Sequence, residues 1–280
     1  MKALLIAIAV AAFGATGAQA ADIAARPYTK APPIAPAINW SGFYAGVNVG
    51  YGWGSSATDN VATQTGCLNG LVAGFCSFTN ALVPGKVSYD QSGFIGGGQF
   101  GYNWQMSHSI VLGIETDFQG SAIRGSNSVS NTGVFVIPVS QSATASQKLD
   151  WFGTLRGRVG WQPTGALLVY ATGGLAYGQV ETASSFSMNA VGGGSLFVGS
   201  SGLSRSDVRT GWTAGGGLEW MMNQQWSVKA EYLYYDLGTV TLNQTLRAVD
   251  LNIGGIVISA IQSKAHYTGN IVRAGVNYHF

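Results

Sequence analysis

The sequence predicts an all-β fold, an eight-stranded antiparallel up-and-down transmembrane β-barrel, on three observations. From Gly42 to the C-terminus the side chains alternate with the two-residue period of a strand. The connections between the alternating runs are long and short in strict turn, the layout of a barrel with short periplasmic turns and long outer loops. Only 9% of the 280 residues are charged, against about 25% in an average globular domain, while 41 are glycine and 11% aromatic.

Composition also excludes function classes. With 14 basic and 12 acidic side chains there is no electrostatic footprint for nucleic acid. A hydrophobic share of 46% excludes a disordered tail protein. Two cysteines and three histidines are too few for a zinc cluster or a disulfide-dense scaffold, and neither a metal nor a cofactor is expected.

Residues 1–20 read as a secretory signal peptide: Lys2 is the positive start, Ala3–Phe13 an apolar run of 11 residues, and Ala18-Gln19-Ala20 the small-x-small cleavage site. That run is too short to span roughly 30 Å of hydrocarbon, and no later segment offers a transmembrane helix. Residues 21–39, with Pro27, Pro32, Pro33 and Pro36, read as an extended periplasmic linker, and residues 40–280 as the barrel.

The first strand alternates Phe43, Ala45, Val47, Val49, Tyr51 and Trp53 with Tyr44, Gly46, Asn48, Gly50 and Gly52. The second lies near 93–104, with Phe94, Phe100, Tyr102 and Trp104 on one face. The third, near 110–119, sets Ile110, Leu112, Ile114, Thr116 and Phe118 against Glu115, Asp117 and Gln119. In the fourth, near 149–161, Leu149, Trp151, Leu155, Val159 and Trp161 share a face opposite Asp150, Thr154, Arg156 and Arg158. The fifth, near 166–179, alternates least clearly. The sixth, near 210–221, opposes Trp212, Ala214, Leu218 and Trp220 to Thr213 and Glu219. The seventh, near 226–236, opposes Trp226, Val228, Ala230, Tyr232 and Tyr234 to Ser227, Lys229 and Glu231. The eighth, near 270–280, opposes Val272, Ala274, Val276, Tyr278 and Phe280 to Arg273, Asn277 and His279. Long loops are expected at 54–92, 120–148, 180–209 and 237–269, and short turns at 105–109, 162–165 and 222–225.

Two patterns favour a membrane barrel over a soluble sandwich. All eight tryptophans fall at or just past the ends of these runs: Trp40, Trp104, Trp161, Trp220 and Trp226 at one rim, Trp53, Trp151 and Trp212 at the other, as in aromatic girdles. The inward positions carry Glu115, Asp117, Glu219 and Glu231 together with Arg156, Arg158, Lys229 and Arg273. An eight-stranded barrel has an interior just wide enough for side chains, so these charges must pair there. The expected core is therefore a mutually neutralising network rather than an open bore.

Several segments together resemble a known family: Asn39-Trp40-Ser41-Gly42-Phe43-Tyr44-Ala45-Gly46, Val111 through Asp117, Trp151 through Arg158, Val169 through Gly178, Gly215 through Trp220, and Lys229 through Tyr234. The chain is similar over Asn39–Phe280 to the small outer-membrane immunogenic proteins of alpha-proteobacteria, an OmpA-like, opacity-like surface-antigen group also labelled a porin family. The motifs are specific as a set and weak singly. The resemblance implies an eight-stranded outer-membrane barrel of a Gram-negative bacterium with variable surface loops, and envelope integrity and surface exposure more firmly than transport. A peptidoglycan-binding domain after the barrel, as in full-length OmpA, is not expected. The long loop with two cysteines does not map onto the family pattern.

The terminal Val276, Tyr278 and Phe280 resemble the C-terminal signal read by the barrel-assembly machinery; they also serve as the lipid-facing side of a last strand. Cys67 and Cys76, an even pair in an exported chain, are expected to form a disulfide in the first outer loop, with two free thiols as the alternative. Gly96-Gly97-Gly98-Gln99-Phe100-Gly101 matches G-x-G-x-x-G by accident, since no βαβ unit accompanies it. A lipid-modifying enzyme would need a nucleophile, a base and an acid in mutual reach. Only His266, near Ser263 and within loose reach of Asp250, offers a start, and a rim histidine is the simpler reading. The leading expectation is a structural and surface-displayed role, with outer-membrane lipid and lipopolysaccharide around the barrel and surface partners at the outer loops, which are rich in Ser, Thr, Asn and Gly, as at 184–206. The alternative is a narrow passive pore for small solutes.

Overall fold

Each alternating run becomes one strand of a closed barrel in a computed structural model that describes residues 38–68, 71 and 73–280. The strands are β1 (Gly42–Leu68), β2 (Lys86–Gln105), β3 (Ile110–Val134), β4 (Pro138–Thr164), β5 (Leu167–Gly192), β6 (Ser195–Met221), β7 (Trp226–Asp250) and β8 (Ile256–His279). A ten-residue helix, α1 (Ala73–Leu82), stands between β1 and β2. Every neighbouring pair is antiparallel, and β1 closes on β8. The expected leader 1–20 and the linker up to residue 37 lie outside the described residues.

The short turns stand where the sequence puts them, between β2 and β3, β4 and β5, and β6 and β7. The long loops do not. Residues 120–148, 180–209 and 237–269 are mostly strand, and so are both flanks of 54–92, with α1 inside that last segment. The reason is the loss of hydrophobic contrast. Beyond Trp53, Trp151 and Trp212 the outward residues become Ser, Thr and Asn, so the amphipathic signal fades while the cross-strand pairing runs on. Ser128 and Thr144, for example, face each other in register and share a hydrogen bond. The tryptophans of the outer rim therefore sit in mid-strand. At about 3.3 Å per residue, the 27 residues of β4 extend roughly 90 Å. With a tilt near 40° that is a barrel about 70 Å tall, against an apolar band of about 25 Å.

Three side chains leave their expected faces: Leu149, Trp40, and Asp150, which stays on the outer side and pairs with the exposed Lys148 at 2.5 Å. Leu149 points inward and is buried, because a bulge between Leu149 and Trp151 adds a residue to β4 and reverses the parity beyond it. Trp40 is also fully buried. It turns into the barrel below β1 with Val111, Leu168, Tyr170 and Met221, and its Nε1 donates to the Gly165 carbonyl at 3.0 Å, so it fills the periplasmic mouth instead of joining the girdle.

The interior is filled in layers. Above the Trp40 layer and a polar layer lies an apolar layer with Ile95, Leu149, Phe152, Val180, Leu233 and Tyr267. The outermost layer packs Phe75, Cys76 and Val83 of the α1 segment against Val87, Val139, Phe186, Met188 and Phe197. Cys67, near the end of β1, is disulfide-bonded to Cys76 in α1. Between β6 and β7 the pairing is interrupted from Gly199 to Trp212. There β7 meets β5 beneath β6, with Gln244 Nε2 donating to Ser184 Oγ at 2.7 Å.

Candidate functional site in the barrel lumen

All eight charged residues that strand parity directs inward meet in one buried layer, and each is nearly inaccessible to solvent. Register sets the first contacts. Glu115 on β3 lies directly opposite Arg156 on β4, Glu231 on β7 opposite Arg273 on β8, and Glu219 on β6 opposite Lys229 on β7. Closure of the barrel then adds contacts across the bore. Lys229 Nζ donates to both oxygens of Glu115, at 2.9 and 2.8 Å. Arg156 bonds Glu115 beside it, Glu231 at 2.9 Å and Asp117 at 3.1 Å. Arg273 donates from Nε to Glu231 at 2.7 Å and from Nη2 to Asp117 at 2.8 Å. Arg158 donates from Nη1 to Glu219 at 3.0 Å.

Neutral side chains complete the layer, and sequence reasoning did not assign them to it. Tyr44 on β1 donates its hydroxyl to Glu115 at 2.7 Å, and Tyr170 on β5 to Glu231 at 3.1 Å. The Arg158 guanidinium lies over both rings, 4.7 and 5.2 Å from their centroids. Asn103 on β2 accepts from Arg158 Nε at 2.8 Å, so every strand reaches the layer. Toward the periplasm, Ser227 and Asn277 donate to Glu219 at 2.6 and 2.7 Å, and the His279 ring lies 2.9 Å from the Ser227 hydroxyl. Strand parity was the available signal, since Tyr44 and Tyr170 alternate with outward residues. Two glycines supply the room: a Cβ at Gly101 would overlap the Tyr44 hydroxyl, and one at Gly217 the Tyr170 hydroxyl.

Four carboxylates and four cations in so small a volume neutralise one another. A charge moved out of water costs several kcal/mol unless paired and hydrogen-bonded. The layer answers this by giving each acid at least two donors. It fixes side chains of all eight strands at one height, and its four positive and four negative charges sum to zero.

The other candidates separate in space. His266 faces outward beside Thr239 and lies 3.4 Å from Asp236, whereas Ser263 is buried on the opposite face of β8. Asp250 lies at the outer end of β7, where it accepts from the Asn252 and Leu196 amides. The grouping of His266 with Ser263 and Asp250 is therefore not assembled, because successive strand residues alternate faces. Among the described residues, no group of three His, Cys, Asp or Glu side chains could hold a metal ion. Val276, Tyr278 and Phe280 project outward, and the Phe280 amide donates to the Phe43 carbonyl at 3.0 Å.

A family model and sequence relatives agree with this architecture. A family model described as an outer membrane protein beta-barrel domain matches residues 6–280. The 31 kDa outer-membrane immunogenic protein of Brucella melitensis is 37% identical over 282 residues, covering all of both chains. The 25 kDa outer-membrane immunogenic protein of Brucella canis is 27% identical, covering 90% of this chain and 94% of its own. Among solved structures, the attachment invasion locus protein of Yersinia pestis aligns with a TM-score of 0.29 at 11% identity, covering 81% of this chain and 99% of that one.

Proposed function

This chain belongs to the outer-membrane β-barrel family, and from that premise we propose that it acts as a closed-bore structural barrel, bracing the outer membrane and carrying a tall surface display. The observation that carries the reading is the neutral eight-charge layer, with the Trp40 layer below it and the α1 plug above. A solute crossing the bore would have to displace buried ion pairs, and separating such a pair costs about 3–5 kcal/mol.

The test is conductance of the refolded protein in planar bilayers, with folding first confirmed by β-sheet circular dichroism. A well-folded, silent barrel is the expected result. A stable open level that shifts when Arg156 or Glu231 is neutralised would overturn the closed-bore reading and make the protein a narrow pore with the lumen charges in its path.

A further inference from the structure

The outer end of the barrel is apolar where a water-facing tip should be polar. Val136 is 80% exposed, Leu251 64% and Ile253 63%, and Val134, Phe135, Val191 and Val198 are exposed beside them. Residues 134–138, 191–198 and 251–256 contain no charged side chain. The nearby Asp250 carboxylate is turned onto the Leu196, Asn252 and Ile253 amides.

These tips form one surface. The Phe75 ring bridges Phe135 and Phe197, at centroid distances of 6.1 and 5.1 Å. The Leu251 amide donates to the Leu196 carbonyl at 2.9 Å, and Asn252 Nδ2 to the Gly194 carbonyl at 2.9 Å, which ties the β7–β8 tip to the β5–β6 tip. A crevice of about 240 Å³ opens among Leu71, Phe75, Phe135, Ile137 and Phe197. A contiguous exposed apolar patch on a folded protein marks a place that something else covers.

The barrel's own membrane does not reach it. Between the outer tryptophans and the tips, the outward faces of β3 and β4 are hydroxyl-rich, with Ser126, Ser128, Ser130 and Thr132 beside Ser140, Ser142, Thr144 and Ser146. From Trp151 to the tip at Pro138 the strand runs roughly 40 Å, so the crown stands about 30 Å above the rim. Neighbouring copies in one membrane hold their axes side by side, with their crowns level and pointing away. What can cover the tips is a surface that faces them. Because these three segments carry no charged side chain and several exposed aliphatic ones, the crown suits a partner that asks for apolar area rather than a fixed hydrogen-bond pattern.

We propose that this crown is a contact site for the lipid surface of an apposed membrane, the hairpin tips around Val136, Leu251 and Ile253 entering its interfacial layer. The inference rests on the reading of the protein as a surface-display barrel, and extends it by naming what the display meets.

The experiment folds the protein into lipid vesicles and measures capture of protein-free phosphatidylcholine vesicles by co-flotation. The variant Val136→Ser/Leu251→Ser/Ile253→Ser alters exposed tips only, and its folding is checked by circular dichroism and heat-modifiable gel migration. Capture by the parent and a loss of about tenfold or more in the variant are expected, from the apolar area removed. A nitrobenzoxadiazole probe on Ile253→Cys should shift to the blue when acceptor vesicles are added, while the same probe on Ser126→Cys in the hydroxyl-rich wall should not. Equal capture by the triple variant, no blue shift at 253, or clustering that needs protein on both vesicles overturns the proposal; the last outcome would make the crown a contact between copies. The two readings fail separately. A conducting barrel removes the closed bore and leaves the crown, whereas a silent barrel without capture removes only the crown.

Discussion

Replacing Arg156 by Met tests the lumen layer most directly. The substitution keeps most of the side-chain volume and removes one guanidinium that bonds Glu115, Asp117 and Glu231. All three acids keep another cation: Lys229 still holds Glu115, and Arg273 still holds Asp117 and Glu231. Removing one partner of a buried pair costs about 3–5 kcal/mol, and these remaining contacts place the loss near the lower end, at about 3 kcal/mol. For an unfolding slope of about 2 kcal/mol/M, that lowers the urea midpoint by roughly 1.5 M. The assay is urea unfolding in lipid vesicles, followed by tryptophan fluorescence and by heat-modifiable gel migration, in both directions to establish equilibrium. The double variant Arg156→Met/Glu231→Gln restores the charge balance and should recover about 1 kcal/mol or more relative to the sum of the single losses. A loss below about 1 kcal/mol for Arg156→Met, or strict additivity in the double variant, would refute the view that mutual neutralisation holds this layer together.

Three further outcomes are expected. Burial pushes the Asp250 carboxyl up, but the Asn252 amide, the Ser195 hydroxyl and the Leu196 and Ile253 amides outweigh it and hold the group below the usual carboxylate range. A depressed folded pKa stabilises above the unfolded value near 4 and loses that contribution as pH falls. The protection of the Leu196 and Asn252 amides, measured by hydrogen exchange relative to the intrinsic rate, should therefore fall toward acid, and Asp250→Asn should abolish this pH dependence. Replacing both Cys67 and Cys76 by Ser releases α1 from β1 and should cost about 2–3 kcal/mol of local order; limited proteolysis between residues 68 and 86 reports it, and unchanged cleavage would show that the helix is held by its packing alone. Deleting Phe280 should lower the yield of folded protein in the outer membrane, measured by heat-modifiable migration of membrane fractions, while normal yield would leave Phe280 as a lipid-facing residue and nothing more.

The fold was legible in the sequence wherever lipid lies on one side of the wall. Membrane on the outside and packed side chains on the inside impose opposite demands on successive residues, so Phe43 to Trp53 and Trp226 to Tyr234 declare their faces by parity alone. Above the rim both sides of the wall tolerate Ser, Thr and Asn. The contrast vanishes, and strands such as the outer halves of β3 and β6 read as loops. Helix α1 is equally silent, because one helix of ten residues is stabilised by the mouth it plugs and not by its own propensity.

Parity by itself determined which side of the wall each membrane-level side chain occupies, and so brought the acids and bases to one face. It could not say who bonds whom. Lys229 stands opposite Glu219 in the sheet, yet its ammonium crosses the bore to Glu115, because that meeting depends on β3 and β7 facing each other after closure. Only the tertiary structure decided this, and with it the bulge that turns Leu149 inward, the burial of Trp40 beneath the network and the gathering of three separate tips into one apolar crown. Alternation is a property of adjacent residues and survives in the linear chain. Contacts between residues more than a hundred positions apart exist only once the sheet has closed on itself.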